Sequence, residues 1–322
     1  MTDVHPNLQP FLKQLNLTRD EQKAHGVEMT PALARDNLAT LTANFVTSAP
    51  AIAGIKDLNV STMETEVPVR LYDPEPGFSK SVIVFFHGGG HMAGSVAVYD
   101  FIARKLAKAS GMIVLSVDYR LSPETPYPGG LNDCLAVTRQ VWQILEREQI
   151  ALKRRLALAG DSAGAAYAAT ISQRLAGDTE LALSHQVLIY PSVDYTMQQP
   201  SITANGNGYL LEKQRIQWYF DHYFAHGEDR CAASPLHMEV PSEMPKTLVI
   251  TAGYCPLHDE DVAYVRKLEE NSVPCQLKNY PDMIHAYLNL EDLVPDVCAD
   301  TYQTIGEFLQ TEEDEKDSNL LR

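Results

Sequence analysis

Two short motifs in this chain have the residue types and spacing for covalent chemistry. In Gly160-Asp161-Ser162-Ala163-Gly164 a serine is flanked by small residues on both sides. A serine hydroxyl attacks well only when it is presented on a sharp turn with a base nearby, and such a turn has no room for bulk. The apolar run Leu156–Ala159 before it reads as a strand and Ala163–Leu175 after it as a helix, so Ser162 sits in a strand–turn–helix setting. The second motif, His87-Gly88-Gly89-Gly90, follows the apolar run Ser81–Phe86. Successive glycines after a buried strand leave backbone N–H groups free to face a ligand, and such donors stabilise the oxyanion of an acyl-transfer intermediate. A phosphate loop is the weaker reading, because no Gly-Lys-Ser/Thr follows the glycines and the chain has no Gly-x-Gly-x-x-Gly.

The elements that must hold these turns follow an α/β grammar. Short apolar runs at Ser81–Phe86, Met112–Val117, Leu156–Ala159, Val187–Tyr190 and Thr247–Thr251 fit strands covered on both faces, the habit of parallel sheets. Helix-like segments at Val98–Ala109, Leu131–Glu148, Ala163–Leu175, Glu212–Phe224 and Asp259–Glu270 separate them. The alternation predicts an α/β fold, a mostly parallel central sheet with helices on both faces. Residues 7–49 read as helical, with Leu33, Leu38, Leu41 and Phe45 spaced for one face. In Val60–Tyr72, Val67, Val69 and Leu71 alternate with polar neighbours, as in a half-buried strand. The aromatic-rich stretch 195–226 breaks the alternation and is expected to lie as a lid over one sheet edge with the N-terminal helices. The expected organisation is an N-terminal cap segment at 1–50, a catalytic domain at 51–194 and 227–311, a cap insertion at 195–226, and an acidic, solvated tail at 312–322.

Composition narrows the function. The 322 residues carry 26 Lys+Arg against 42 Asp+Glu, a net charge of −16. Binding to nucleic acid through phosphate needs a basic surface, so that class is excluded, and an anionic membrane would repel this chain. No apolar run reaches the roughly 18 residues of a bilayer span. Met1–Pro6 lacks the basic and apolar parts of a secretion signal, which predicts a cytoplasmic protein. The five cysteines are scattered and match no zinc spacing, so reduced thiols, no metal and no cofactor are expected. A homodimer is left open.

With its motifs in this order, the chain resembles the hormone-sensitive-lipase-like esterases, the bacterial family IV branch of the α/β-hydrolases. The matching residues are His87-Gly88-Gly89-Gly90, Asp118-Tyr119-Arg120-Leu121-Ser122-Pro123-Glu124, Gly160-Asp161-Ser162-Ala163-Gly164 and Met283-Ile284-His285. The likeness covers roughly residues 55–310, and an N-terminal cap segment is also typical of the family. The resemblance implies the α/β-hydrolase fold with a helical cap, and a cofactor-free hydrolase of carboxylic esters working through an acyl-serine. Position by position it implies Ser162 as nucleophile, His285 as general base, and the N–H groups of Gly88, Gly89 and Ala163 as the oxyanion hole. His285 follows the apolar strand Gln276–Tyr280, in agreement with the serine–acid–histidine chain order of the fold. Arg120 and the acids around it are expected to tie loops together, and His87 to anchor the oxyanion loop without transferring protons.

One position departs from the family. The triad acid there is an Asp directly before Pro-Leu, whereas here the segment reads Gly253-Tyr254-Cys255-Pro256-Leu257-His258-Asp259. A thiol accepts hydrogen bonds weakly and is mostly neutral near pH 7. Four readings stay open: Asp259 reaches His285 instead; the enzyme runs on a Ser–His dyad with Cys255 as a weak partner; Cys255 is a substitution, natural or introduced, in an ordinary esterase; or catalysis is largely lost and the chain binds a ligand. Asp282 is close to His285 in sequence, but the short turn between them is expected to aim it elsewhere. For the substrate, Tyr209 and Leu210, with Leu211, form an apolar patch suited to an acyl pocket. Trp218 belongs to an aromatic set at helical spacing that fits packing better than substrate contact. The expected partner is a small, uncharged ester of a short acyl chain, and no long amphipathic lid signals interfacial activation.

Overall fold

The computed structural model describes residues 3–181 and 183–310; the acidic tail expected at 312–322, like Thr311, lies outside them. Eight strands build one sheet: β1 (Gly54–Ser61), β2 (Glu66–Asp73), β3 (Lys80–Phe86), β4 (Ile113–Val117), β5 (Leu152–Asp161), β6 (Leu183–Ile189), β7 (Lys246–Tyr254) and β8 (Cys275–Ile284). The helices are α1 (Leu8–Ala24), α2 (Pro31–Phe45), α3 (Asp100–Ser110), α4 (Gly129–Arg139), α5 (Val141–Arg147), α6 (Ala163–Leu175), α7 (Ser201–Ala204), α8 (Lys213–Tyr223), α9 (Arg230–Ala233), α10 (His258–Glu270) and α11 (Pro295–Gln310), with a 3₁₀ turn at Tyr287–Leu293.

Strand order is β1-β2-β4-β3-β5-β6-β7-β8. The pairs from β4 to β8 are parallel, while β1 and β2 join antiparallel at one edge. Every residue of β3 and β4 is buried. Successive side chains of a strand point to opposite faces, so helices must cover both. One such contact is tight enough to require glycine: a Cβ on Gly306 of α11 would run into the Ala109 carbonyl of α3.

Two local readings of the sequence are amended. The stretch 60–72 is a hairpin rather than one strand; Val67, Val69 and Leu71 are the buried face of β2, and mostly exposed β1 lacks the apolar alternation that would have announced it. The helix expected over Leu131–Glu148 breaks at Gln140, whose amide reaches the Ser61 carbonyl at 3.1 Å, giving α4 and α5.

The topology fixes where a site can form. The chain steps from β3 outward to β4, then crosses back to β5 on the other side of β3. Loops leaving the carboxyl ends of β3 and β5 therefore diverge and open a crevice, the usual ligand position in α/β sheets. Phe86 pairs with Gly160 across these strands, so the triple-glycine loop and the serine turn emerge side by side.

Candidate active site

Ser162 takes φ 53° and ψ −119°, a conformation that non-glycine residues rarely adopt and that persists only where the surroundings enforce it. Its N–H donates to the Ile189 carbonyl at 2.9 Å and its own carbonyl accepts from Ser192 and Ala166, both at 3.2 Å, so β6 and α6 hold the turn from both sides. The flanking glycines are sterically required. A Cβ on Gly160 would come within 2.5 Å of the Gly164 backbone, and one on Gly164 would strike the Phe86 carbonyl.

His285 arrives from a neighbouring strand. Tyr254 at the end of β7 pairs with Ile284 at the end of β8, which sets the next residues of both strands, Cys255 and His285, beside each other. The His285 ring has Nε2 2.9 Å from Ser162 Oγ and Nδ1 3.1 Å from Cys255 Sγ. Tyr190 meets the imidazole edge-on at 4.9 Å. Burial pushes the imidazole pKa down to about 3, so the ring is neutral and able to accept a proton from the serine. Burial also pushes the Cys255 thiol well up, with the nearby Asp261 carboxyl adding to the rise, and the Leu257 N–H bonded to the sulfur at 3.3 Å only partly opposes this.

Asp259 is not brought to His285. Its Oδ2 accepts from the Ser201 N–H at 2.8 Å while its own N–H donates to Ser201 Oγ at 3.0 Å, a reciprocal clasp on the start of α7. The next two acids are also occupied: Glu260 accepts from the N–H groups of Val193 and Asp194, and Asp261 from the Thr251 hydroxyl at 2.6 Å. Cys255 is thus the side chain seated at Nδ1.

The oxyanion loop differs from expectation at one residue. The Gly88 N–H donates to Asp161 Oδ1 at 2.7 Å and cannot serve a ligand; Tyr99 donates to the other carboxylate oxygen at 3.2 Å. Among the described residues, the N–H groups of Gly89, Gly90 and Ala163 have no protein acceptor, and all three residues line the cavity at Ser162. Ala163 is the first residue of α6, so its N–H is one of those that a helix leaves unpaired. The backbone donors left unpaired at the serine are thus those of Gly89, Gly90 and Ala163. Asp161, buried and pushed up to about 7 by desolvation, was given no role from the sequence; its place inside the serine motif, one residue before Ser162, was the available signal. His87 stacks on Tyr119 at 4.3 Å and bonds Gly88 O through Nδ1 at 2.8 Å. Arg120 pairs with buried Asp133 at 2.7 Å, and Glu124 grips Arg35 of α2 through two bonds of 2.9 and 2.5 Å.

The cavity over Ser162 has a volume of about 540 Å³. Leu38, Leu41 and Phe45 of α2 form part of its wall, so three residues of the apolar stripe read from the sequence face this space, while Leu33 does not line it. Leu210 and Leu211 also line it; Tyr209 and Trp218 do not. Tyr209 packs on Tyr254 at 5.0 Å, and half-buried Trp218 packs against His222 and under Arg215. Tyr219 takes the inner position, its ring so close over Gly90 that a Cβ there would come within 2.6 Å. Arg19 of α1 donates to the carbonyls of Tyr209 and Leu210 at 2.9 and 2.6 Å, joining the N-terminal helices to the 209–220 wall. Among the described residues no group of three or more His, Cys, Asp or Glu is placed to hold a metal, and no helix is long and apolar enough to cross a membrane.

Comparison with known proteins yields consistent matches. The alpha/beta hydrolase fold family matches residues 83–289. The chain is 32% identical to an ethyl acetate hydrolase of Pseudomonas putida over 309 residues, 90% of this chain and 94% of that protein. It is 31% identical to an arylesterase of Saccharolobus solfataricus, over 79% of this chain and 83% of the relative. Among solved structures, a hyperthermophilic esterase from Pyrobaculum calidifontis superposes with a TM-score of 0.86 at 28% identity, covering 96% of this chain and 99% of the other.

Proposed function

The chain belongs to the hormone-sensitive-lipase-like esterases of the α/β-hydrolase superfamily and is a carboxylesterase, and we propose that it cleaves short-chain acyl esters through an acyl-enzyme on Ser162, with Cys255 in the seat of the triad acid. The observation that carries this reading is the 2.9 Å contact between Ser162 Oγ and Nε2 of a neutral His285.

In the proposed cycle, Ser162 Oγ attacks the ester carbonyl carbon while its proton passes to His285 Nε2. The carbonyl oxygen, now an oxyanion, takes hydrogen bonds from Gly89, Gly90 and Ala163, donors fixed in place before reaction. The imidazolium returns the proton to the leaving alcohol as its C–O bond breaks. Water then attacks the acyl-serine with His285 as base, and carboxylate and free Ser162 result.

Cys255 sets the pace of this cycle. A serine-to-histidine transfer needs His285 with its proton on Nδ1 and Nε2 bare. A carboxylate enforces that tautomer because it only accepts, whereas a thiol also donates, and a thiol donating to Nδ1 leaves the proton on Nε2. The proposal is a working but slowed esterase. The cavity bounded by α1, α2 and the 209–220 wall acts as the cap that limits acyl length.

The test is hydrolysis of p-nitrophenyl acetate and butyrate by the purified chain and by Ser162→Ala. A rate no higher than that of the variant would leave the alternative, a ligand-binding protein on the same fold, as the better reading.

A further inference from the structure

The walls of the substrate cavity carry the opposite charge from the rest of the molecule. Acids outnumber bases by 42 to 26 in the whole chain. Yet the charged residues lining the cavity are Arg19, Arg215 and a single acid, Asp161. That acid is buried and committed to Gly88 and Tyr99. The charge left to meet a ligand is positive.

The two arginines differ in what occupies them. Arg19 is spent on the protein, with two carbonyl bonds and an ion pair to Glu212 at 3.2 Å. Arg215, half-buried on α8, forms no ion pair among the described residues; its guanidinium rests over Trp218, 5.3 Å from the ring centroid. Stacking on an aromatic face occupies the plane of a guanidinium but leaves its edge N–H groups available for a bidentate anion. Arg215 is four residues before Tyr219, the ring that covers Gly90. On a helix that spacing puts Arg215 one turn, about 6 Å, from Tyr219 on the same face.

Resting on the esterase reading above, we infer that Arg215 is a specificity residue, and that the cavity favours esters whose acyl chain ends in a carboxylate a few methylenes beyond the scissile carbonyl. Half-esters of short dicarboxylic acids are the substrate class. The apolar wall from Leu38 and Leu41 takes the methylenes, and the Arg215 guanidinium takes the terminal carboxylate. Tyr219 adds apolar contact between the two.

Two substrates of matched length separate this inference from the esterase reading: mono-p-nitrophenyl adipate and its neutral methyl ester. The quantity read is the ratio of their kcat/KM values in the wild type, Arg215→Gln and Arg215→Lys. The wild type is expected to favour the anion, and Arg215→Gln to lower the ratio about tenfold through KM, as befits loss of one charge-assisted contact. Arg215→Lys, which keeps the charge but loses the planar fork, should restore part of it, and added salt should shrink it in the wild type. A ratio that is the same in the wild type and Arg215→Gln overturns the inference while the esterase reading stands. Failure of the wild type to cleave either substrate sinks both.

Discussion

Cys255 Sγ lies 3.1 Å from Nδ1 of His285, the position from which a carboxylate would hold the ring. No other side-chain acceptor among the described residues reaches that nitrogen. The relationship follows from sheet register, since the Tyr254–Ile284 pairing at the ends of β7 and β8 puts whatever residue stands at 255 against the histidine. On the proposed reading, the arrangement of a serine–histidine–acid triad is kept around a neutral, weakly accepting group.

The serine is expected to be indispensable. Ser162→Ala should lower esterase turnover by at least about three orders of magnitude, since in the proposed cycle the base acts through this hydroxyl and the acyl group is carried on it. A fluorophosphonate should label Ser162 and leave Cys255 untouched, because the buried thiol is held neutral. Mapping the adduct by mass spectrometry to Cys255 would reverse the assignment.

Acid should not switch the wild type off near the usual histidine range. Burial lowers His285 to about 3, and the base works in its neutral form, so lowering the pKa extends activity toward acid. A plot of kcat/KM against pH should show no imidazole limb from pH 8 down to about 5, any small inflection near 7 belonging to Asp161, as long as circular dichroism reports a folded chain. An acidic limb centred near 6.5 would mean that the imidazole is less shielded, or better paired, than the geometry implies.

Much of this site was legible in the sequence because its parts are local. A tight turn needs Gly160 and Gly164, an oxyanion loop needs consecutive glycines, and both needs show in adjacent residues. What escaped was decided across space. Gly88 and Gly90 are alike as residues, and only the packing of Asp161 beneath the loop removes Gly88 from the donor set. Asp259 is one turn from Cys255, yet the Ser201 N–H, 58 residues away, claims its carboxylate. Trp218 and Tyr219 are neighbours on α8, and the direction in which the helix docks sets one against His222 and the other over Gly90. Strand β1 was hidden for a different reason, since an exposed edge strand carries no apolar alternation to read.

Asp161 is expected to act as a positioning residue for the oxyanion loop. Asp161→Ala removes the acceptor of the buried Gly88 N–H and should cut kcat about tenfold or more with KM little changed. Asp161→Asn keeps an oxygen for that N–H and should recover most of the loss. A purely structural role would instead lower melting temperature in both variants without separating kcat from KM.

Asp259→Asn gives a clean contrast with the acid seat. Its carboxylate bonds Ser201 at the start of α7, and an amide oxygen can still accept there. Turnover should fall by less than about threefold, with any loss of stability near 1 kcal/mol, the worth of one such bond. A fall of a hundredfold would mean that Asp259 reaches His285 during the reaction.

Replacing the thiol itself is the most informative change. In Cys255→Asp a carboxylate would stand at Nδ1, accept a hydrogen bond from the Nδ1–H without donating one, and pair with the imidazolium formed as Ser162 attacks. Turnover should rise by at least about tenfold. The ceiling is the roughly four orders of magnitude that loss of this acid costs in a well-studied serine protease. The gain will fall short of that ceiling to the extent that burial and the neighbouring Glu260 and Asp261 carboxyls, which already push the resident thiol up, keep the new carboxyl partly protonated. The pH profile supplies a second, independent sign. An adjacent anion stabilises the charged imidazole and raises the His285 pKa, so the acidic limb of kcat/KM should move upward from its low wild-type position. Cys255→Ala closes the argument from the other side, because removing even the weak acceptor should slow the enzyme further if the thiol assists at all. Equal rates and equal pH profiles in all three folded proteins would show that the group at 255 does not act through His285.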